Sequence, residues 1–362
     1  MLASNSSPIS HMIDWLTVRI PVRLPAPIAG GWTVKLAQDG TEERRTPHRL
    51  NVQGSFESSL AIRAPSTSEL EVSGNLVKWL QGHNLYGTSD PLGLLWAALQ
   101  RLEALPGVLP CSLRDMGLYS PVSLSDAIVT RIDCTAMLLL DTDADVLWWL
   151  RIAEQTGRLE HRGKGLMRGN TLVYGHAGGK NFTRWQIVLY SKGQEISAHP
   201  LPEMMMSDAE VLAYVNRCLR VEVRLGRLEL KEKGLRALGE WTAQTAAMMW
   251  GDKVARVKFN EAEIGLKNLD HLPRNLRTTY AAWTTGEDLR NMLPRRTFYH
   301  YRRQLLDLAG IDISIAPPTV PTAQIIPFRR TLEAVPAGRP PWADRIDRDL
   351  RAAGAYVFDA AS

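Results

Sequence analysis

Tyr190 and Lys192 carry the spacing richest in chemistry, within Arg184-Trp185-Gln186-Ile187-Val188-Leu189-Tyr190-Ser191-Lys192. Read at strand period, Gln186, Val188, Tyr190 and Lys192 share one face, and Trp185, Ile187 and Leu189 share the other, core-bound face. A phenol is a weak nucleophile with a pKa of roughly 10. An ammonium beside it that favours phenolate is therefore the arrangement expected of a tyrosine that attacks phosphorus. The same two residues also suit an ordinary strand, tyrosine for packing and lysine for solvent. The surroundings favour a polyanion: between His161 and Gly193 stand Arg162, Lys164, Arg168, Lys180, Arg184 and Lys192, with neither Asp nor Glu.

Two more strand patterns and one loop carry reactive side chains. Ala127 to Leu138 alternates with Arg131, Asp133 and Thr135 on one face. A buried unpaired carboxylate is costly, so Asp133 is either satisfied by Arg131 or holds a divalent cation. Leu219 to Leu225 places Arg220, Glu222 and Arg224 together on one face. Three strands thus present Asp133, Tyr190 with Lys192, and Glu222. His83, bracketed by Gly82 and Gly87, reads either as a placed residue or as a surface or capping histidine.

The elements that must position these groups are legible around them. Met12 to Pro21 alternates as a strand, and Leu92 to Leu105 has helical spacing after Pro91. Asp141 to Glu154 predicts a helix opened by acidic residues. Asn170 to Tyr174 and Phe182 to Lys192 predict a hairpin. Ser207 with Glu210 predicts the N-cap of a helix running to Cys218. The fold class is α+β, with a mainly antiparallel sheet followed by a smaller helical domain. The divisions are a loose extension 1–11, a sheet domain 12–239, a helical domain 240–316 and a Pro-rich tail 317–362. Within the helical part, Arg295, Arg296, Arg302 and Arg303 arm the second helix of a helix-turn-helix pattern, a DNA-reading helix or a solvated basic face.

Composition bounds the rest. The 362 residues are 45% hydrophobic with a formal net charge of +5, enough for a large core and more than one domain. Cys111, Cys134 and Cys218 lie far apart without metal-ligand spacing, which argues against a zinc site or disulfide framework and for a reducing cytosol. No apolar run reaches the roughly 20 residues of a membrane span.

Several blocks occur in an order that periodicity does not supply: Met12-Ile13-Asp14-x-Leu16-x-x-Arg19-x-Pro21, Lys78-x-Leu80-Gln81-Gly82-His83-Asn84-Leu85-Tyr86-Gly87-Thr88, Arg131-Ile132-Asp133, Leu189-Tyr190-x-Lys192-x-x-Glu195 and Leu219-Arg220-Val221-Glu222-x-Arg224. Together with Ile325-Ile326-Pro327 and Arg339-Pro340-x-Trp342, the chain resembles the gene II family, the replication initiators of filamentous bacteriophages. That resemblance implies nicking of one DNA strand at the plus-strand origin, rolling-circle synthesis and later closure of the displaced circle. It makes Tyr190 the nucleophile that joins the 5′-phosphate and leaves a 3′-OH primer. It gives Lys192 an electrostatic role that Glu195 orients, and gives Asp133 and Glu222 to Mg²⁺ or Mn²⁺, with His83 as a third ligand or phosphate contact. Implied partners are a phage or plasmid origin, a host helicase and a DNA polymerase in the bacterial cytoplasm, with self-association on DNA and no membrane. A shorter product from an internal start near Met248 or Met249 is a further implication. The His-hydrophobe-His motif of wider rolling-circle nucleases is missing among the eight histidines.

Two rivals stand beside it. A replication regulator would use the same basic segments without cutting DNA. A tyrosine recombinase would use His300-x-x-Arg303, but His271-x-x-Arg274 matches that pattern equally well.

Overall fold

The protein is described from a computed structural model that covers residues 10–54, 56, 58–159, 163–175, 184–259, 272–284, 286–309, 311–314 and 335–358. Arg162, Lys180, most of the extension 1–11 and residues 317–334 of the Pro-rich tail lie outside the described residues.

The chain opens with β1 (His11–Pro21), an exposed ribbon of β2 (Trp32–Leu36) and β3 (Glu42–Pro47), then β4 (Leu50–Gln53), β5 (Ser59–Ser66) and β6 (Glu69–Gly74). Helices α1 (Leu76–Gln81) and α2 (Pro91–Glu103) precede the long β7 (Ile128–Leu139). Helix α3 (Asp143–Thr156) leads into the short β8 (Gly157–Leu159), β9 (Gly163–Lys164) and β10 (Leu166–Arg168), then β11 (Thr171–Gly175) and β12 (Trp185–Ser191). Three helices, α4 (Lys192–Ala198), α5 (Glu203–Met206) and α6 (Ala209–Asn216), separate β12 from β13 (Cys218–Gly226). Then come α7 (Arg227–Glu232), α8 (Ala243–Val254) and β14 (Val257–Phe259). A helical module holds α9 (Arg274–Thr284), α10 (Leu289–Met292) and α11 (Arg295–Ala309), and the chain returns through β15 (Val335–Pro336) and α12 (Ala343–Ala352).

Ten of the described strands form one sheet in the order β10-β11-β12-β13-β7-β1-β6-β5-β4, with β15 added beside β7. Its described pairings are antiparallel, as expected of an α+β fold. Alternation along the central strands sends Ile132, Cys134, Val221, Val223, Ile187 and Leu189 into the core with α2, α3 and α8. The opposite face keeps the polar residues, so one side of the sheet is free to carry chemistry.

Three local boundaries differ from the sequence expectation. Strand β12 ends at Ser191, whose hydroxyl accepts from the Gln194 N–H and caps α4, so Lys192 opens a helix and does not continue the strand face. Ser207 closes α5, whereas the stronger acceptor, the Asp208 carboxylate, caps α6 by accepting from Glu210 and Val211. The first helix beyond Gly239, α8, belongs to the sheet's core: Ala246, Met249 and Trp250 are buried there, and the Trp250 indole donates to the Val221 carbonyl at 3.0 Å.

The separate helical core starts later. Leu272, Leu276, Leu289, Phe298, Leu305, Ile311 and Ile313 form their own buried cluster. From residue 335 the chain packs back on the sheet domain, burying Trp342, Ala343, Ile346 and Leu350. Phe298→Ala is expected to destabilise the helical module by about 3–5 kcal/mol through loss of its central ring. Hydrogen exchange should then speed in 272–309 while amides of β7 and β13 keep wild-type protection.

Candidate active site

The polar face of the sheet is ordered by register. On β12 and β13 Tyr190 stands opposite Arg220, Val188 opposite Glu222 and Gln186 opposite Arg224. On β7, Met137, Thr135 and Asp133 stand opposite the same three β13 residues. Strand β1 joins through an irregularity between Ile13 and Trp15, which lets Asp14 interrupt the alternation at a bulge. Asp14, Asp133, Arg220 and Glu222 are all buried.

Burial forces these charges into pairs. Arg220, with no exposed surface, bridges to Asp14, donates to Glu222 Oε1 at 3.1 Å and to the Asn84 carbonyl at 2.6 Å. Arg224 holds Glu222 Oε2 at 2.7 Å and lies 3.6 Å from Asp133. Arg131 grips Asp133 through two bonds at 2.9 and 2.5 Å and covers the Trp15 ring at 4.8 Å. Anions and cations therefore alternate: Asp14, Arg220, Glu222, Arg224, Asp133, Arg131.

Tyr190 joins this ladder. Its hydroxyl donates to Glu222 Oε1 at 2.6 Å, and the residue is partly exposed. Burial pushes the phenol well above its ordinary range, Arg220 opposes that, and Glu222 adds to it. For Glu222, burial resists ionisation, but Arg224 and Arg220 with the Tyr190 hydroxyl hold the carboxyl far below the usual carboxylate range. Asp133 goes the other way, raised by burial against the pull of Arg131 and Arg224. The arrangement pairs a protonated phenol with an ionised acceptor.

Lys192 reaches the ladder from a different direction. Its ammonium donates to Asn84 Oδ1 at 2.8 Å and Glu195 at 2.5 Å. Burial and Arg220 lower it to about 8, against the pull of Glu195. The cation that acts on the phenol is Arg220, because Lys192 has left the strand face. Glu195 thus accepts from the Lys192 ammonium. Asn84 also donates to Asp14 at 2.8 Å, and Asn75, the N-cap of α1, donates to the same oxygen at 2.7 Å.

The residues expected to ligate a metal do not converge. Asp133 and Glu222 flank Arg224, but His83 lies elsewhere, fully buried against Tyr86 with ring centroids 4.6 Å apart. Its Nδ1 accepts from the Leu85 N–H at 3.3 Å, so Nε2 carries the proton and is a buried donor with no acceptor. Burial, Lys192 and Arg339 hold the ring neutral, lowered to about 3. Among the described residues no group of three His, Cys, Asp or Glu side chains is placed to hold an ion. The carboxylates expected to bind Mg²⁺ or Mn²⁺ are taken by guanidinium groups, so this donor set does not fit a divalent cation.

The basic residues divide by what they touch. Lys164 and Arg168 lie on exposed short strands, and Arg184 pairs with Glu232 at 2.8 Å. Arg295, Arg296 and Arg303 are exposed on α11, whereas Arg302 is held by Asp312 through two 2.6 Å bonds. Asp14 and Asn84 join the site without any signal from residue period, although both stand inside the ordered sequence blocks. Arg220 and Arg224 are visible as neighbours of Glu222 at strand period.

Comparison with known proteins agrees along the length. Residues 12–244 match the N-terminal model of the phage replication-associated protein family, the gene II proteins, and residues 267–345 match the C-terminal model of the same family. The chain is similar to the replication-associated protein of this type from Enterobacteria phage I2-2, 32% identical over 346 residues that cover 92% of this chain and 97% of that protein. With both parts of the family matched in order around the Tyr190–Glu222 site, the chain belongs to the gene II family of replication-associated proteins of filamentous phages.

Proposed function

We propose that this phage replication protein nicks one DNA strand at a plus-strand origin by tyrosine transesterification and later reseals it. The observation that carries the reading is the 2.6 Å bond from the Tyr190 hydroxyl to a Glu222 carboxylate kept ionised by Arg220 and Arg224. Tyr190 Oη attacks phosphorus and gives its proton to Glu222 Oε1. The P–O3′ bond breaks, the electron pair leaves on the 3′ oxygen, and that oxygen takes a proton from solvent. The product is a 5′-phosphotyrosyl DNA with a free 3′-OH primer. The stored ester permits the reverse step by which the displaced strand is closed.

Glu222 serves as general base because the buried phenol does not ionise by itself near neutrality. Arg224, more exposed than Arg220, is the cation suited to a phosphate oxygen, and phosphoryl transfer depends chiefly on such positioning and charge neutralisation. Lys192 with Glu195 supports the site electrostatically through Asn84. No step is assigned to Mg²⁺ or Mn²⁺, since Asp133 and Glu222 are engaged by arginines. Arg295, Arg296 and Arg303 on α11, with Lys164 and Arg168, supply phosphate contacts to the origin duplex. The host helicase and polymerase act on the strand opened from the 3′-OH.

Cleavage of supercoiled origin DNA tests this directly. Tyr190→Phe should bind the origin and form neither nick nor 5′ adduct. Glu222→Gln, which keeps a hydrogen-bond partner and cannot take the proton, should lower kcat by about 10²–10⁴-fold. Nicking by Tyr190→Phe would overturn the nucleophile. Binding without nicking by the wild type would favour a replication regulator.

The pH profile gives a second check. Because the Lys192 folded value is lowered to about 8, its charge is present below that pH and lost above it. Wild-type kcat should fall as pH rises through about 8, whereas Lys192→Arg, whose guanidinium stays protonated, should keep its own kcat flat to about pH 10.

A further inference from the structure

Residues 335–358 lie far along the chain from Tyr190, yet they hold the loop that supplies Asn84. Strand β15 pairs with Leu138 and Leu139 of β7, just past the point where His11 of β1 pairs with Ala136. The Ala337 N–H donates to the Met137 carbonyl at 2.9 Å, and the Ser10 N–H donates to the Ala337 carbonyl at 3.3 Å. The first described residue thus abuts the start of the segment 335–358 beside β7.

From there the segment reaches over the Gly82–Gly87 loop. The Tyr86 hydroxyl donates to Asp347 Oδ1 at 2.7 Å, and the Arg339 guanidinium lies 4.8 Å over the Tyr86 ring while bonding Asp347 and Asp344. Trp342 meets the same ring edge-on at 5.9 Å. Asp347 and Tyr86 are both buried. The loop has no regular secondary structure of its own; the Gln81 amide donates to the Tyr86 carbonyl at 2.7 Å and the Leu85 N–H to His83 Nδ1, and the side chains of Asn84 and Tyr86 are held by contacts from elsewhere in the chain. At one end Asn84 is bonded to Lys192, Arg220 and Asp14; at the other Tyr86 is bonded to the C-terminal segment.

We propose that Tyr86, Arg339 and Asp347 form a clasp through which the C-terminal segment positions Asn84 and, through its bond to Arg220, the Glu222 carboxylate that faces Tyr190. The proposal rests on the reading of Tyr190 as nucleophile and Glu222 as base. The three are positioning residues: they touch the loop, and the loop touches the arginine that sets the base. The helical module 272–309 is consequently flanked by two strands bonded into the sheet domain, β14 to β8 and β15 to β7. Residues C-terminal to that module complete the nicking site.

The test uses the full chain and supercoiled DNA of the replicon that encodes it. Tyr86→Phe removes one hydroxyl, and Asp347→Asn leaves the buried shape intact. Each should lower kcat by about 10- to 100-fold with KM within about twofold and origin binding unchanged. Asn84→Ala keeps the carbonyl that Arg220 holds but frees that end of the loop from Asp14 and Lys192; it should lower kcat at least as far, and Tyr86→Phe with Asn84→Ala should lose no more than Asn84→Ala alone, since both loosen one loop. If Asn84→Ala does not fold, the acid limb of the Tyr86→Phe pH profile decides: it should move upward as Arg220 loosens from Glu222. Wild-type kcat in Tyr86→Phe, losses that multiply in the double variant, or an unmoved acid limb would overturn the clasp alone. A wild type that forms no Tyr190 adduct would overturn the underlying mechanism and the clasp with it.

Discussion

Arg220 is the interaction on which the rest of the site depends. A guanidinium without exposed surface must be matched by anions and carbonyls within reach, and breaking such a pair costs about 3–5 kcal/mol because one charge is left uncompensated. Its partners come from separate parts of the chain: Asp14 from the β1 bulge, the Asn84 carbonyl from a loop and Glu222 from its own strand. One residue therefore ties the strand order of the sheet to the shape of the Gln81–Thr88 loop.

The same pairing sets the chemistry. Tyr190 and Glu222 sit in one low-dielectric environment, yet their protonation is driven apart: burial keeps the proton on the phenol, while two arginines keep the carboxyl ionised. The split leaves the carboxylate unprotonated and hydrogen-bonded to a protonated hydroxyl. Asp133 occupies the end of the ladder under Arg131 and Arg224, where it fixes Arg224 between two carboxylates. The cationic charge around the phenol thus comes from guanidinium groups that are always protonated and geometrically rigid.

Family membership spans both parts of the chain, and the end of the C-terminal part pairs with a strand of the N-terminal part. Helix α8 closes the core of the sheet domain, the module around Phe298 and Leu305 has a core of its own, and the chain then returns to lie beside β7. In the chain, the module with exposed Arg295, Arg296 and Arg303 lies between β14, which pairs with β8, and β15, which pairs with β7. The described chain on either side of the module is thereby bonded into the sheet domain.

The sequence by itself determined the composition of the polar face. Period-two alternation put Asp133, Tyr190 and Glu222 on one side of their strands because successive Cβ atoms must point to opposite faces, and the antiparallel class followed from strands joined by short turns. It also exposed Arg220 and Arg224 beside Glu222, though without their roles. Tertiary structure decided the rest. Strand order is a non-local pairing, so only the assembled sheet brings β12 beside β13 and β13 beside β7. Lys192 left the strand face because Ser191 caps a helix, a competition between local hydrogen bonds that alternation does not register. Asp14 entered the site through a bulge that breaks period two, and Asn84 through a loop with no period at all. The metal ligands read from carboxylate identity gave way to arginine pairs because buried charge is neutralised by whatever lies within reach in space, and that proximity is set by the fold.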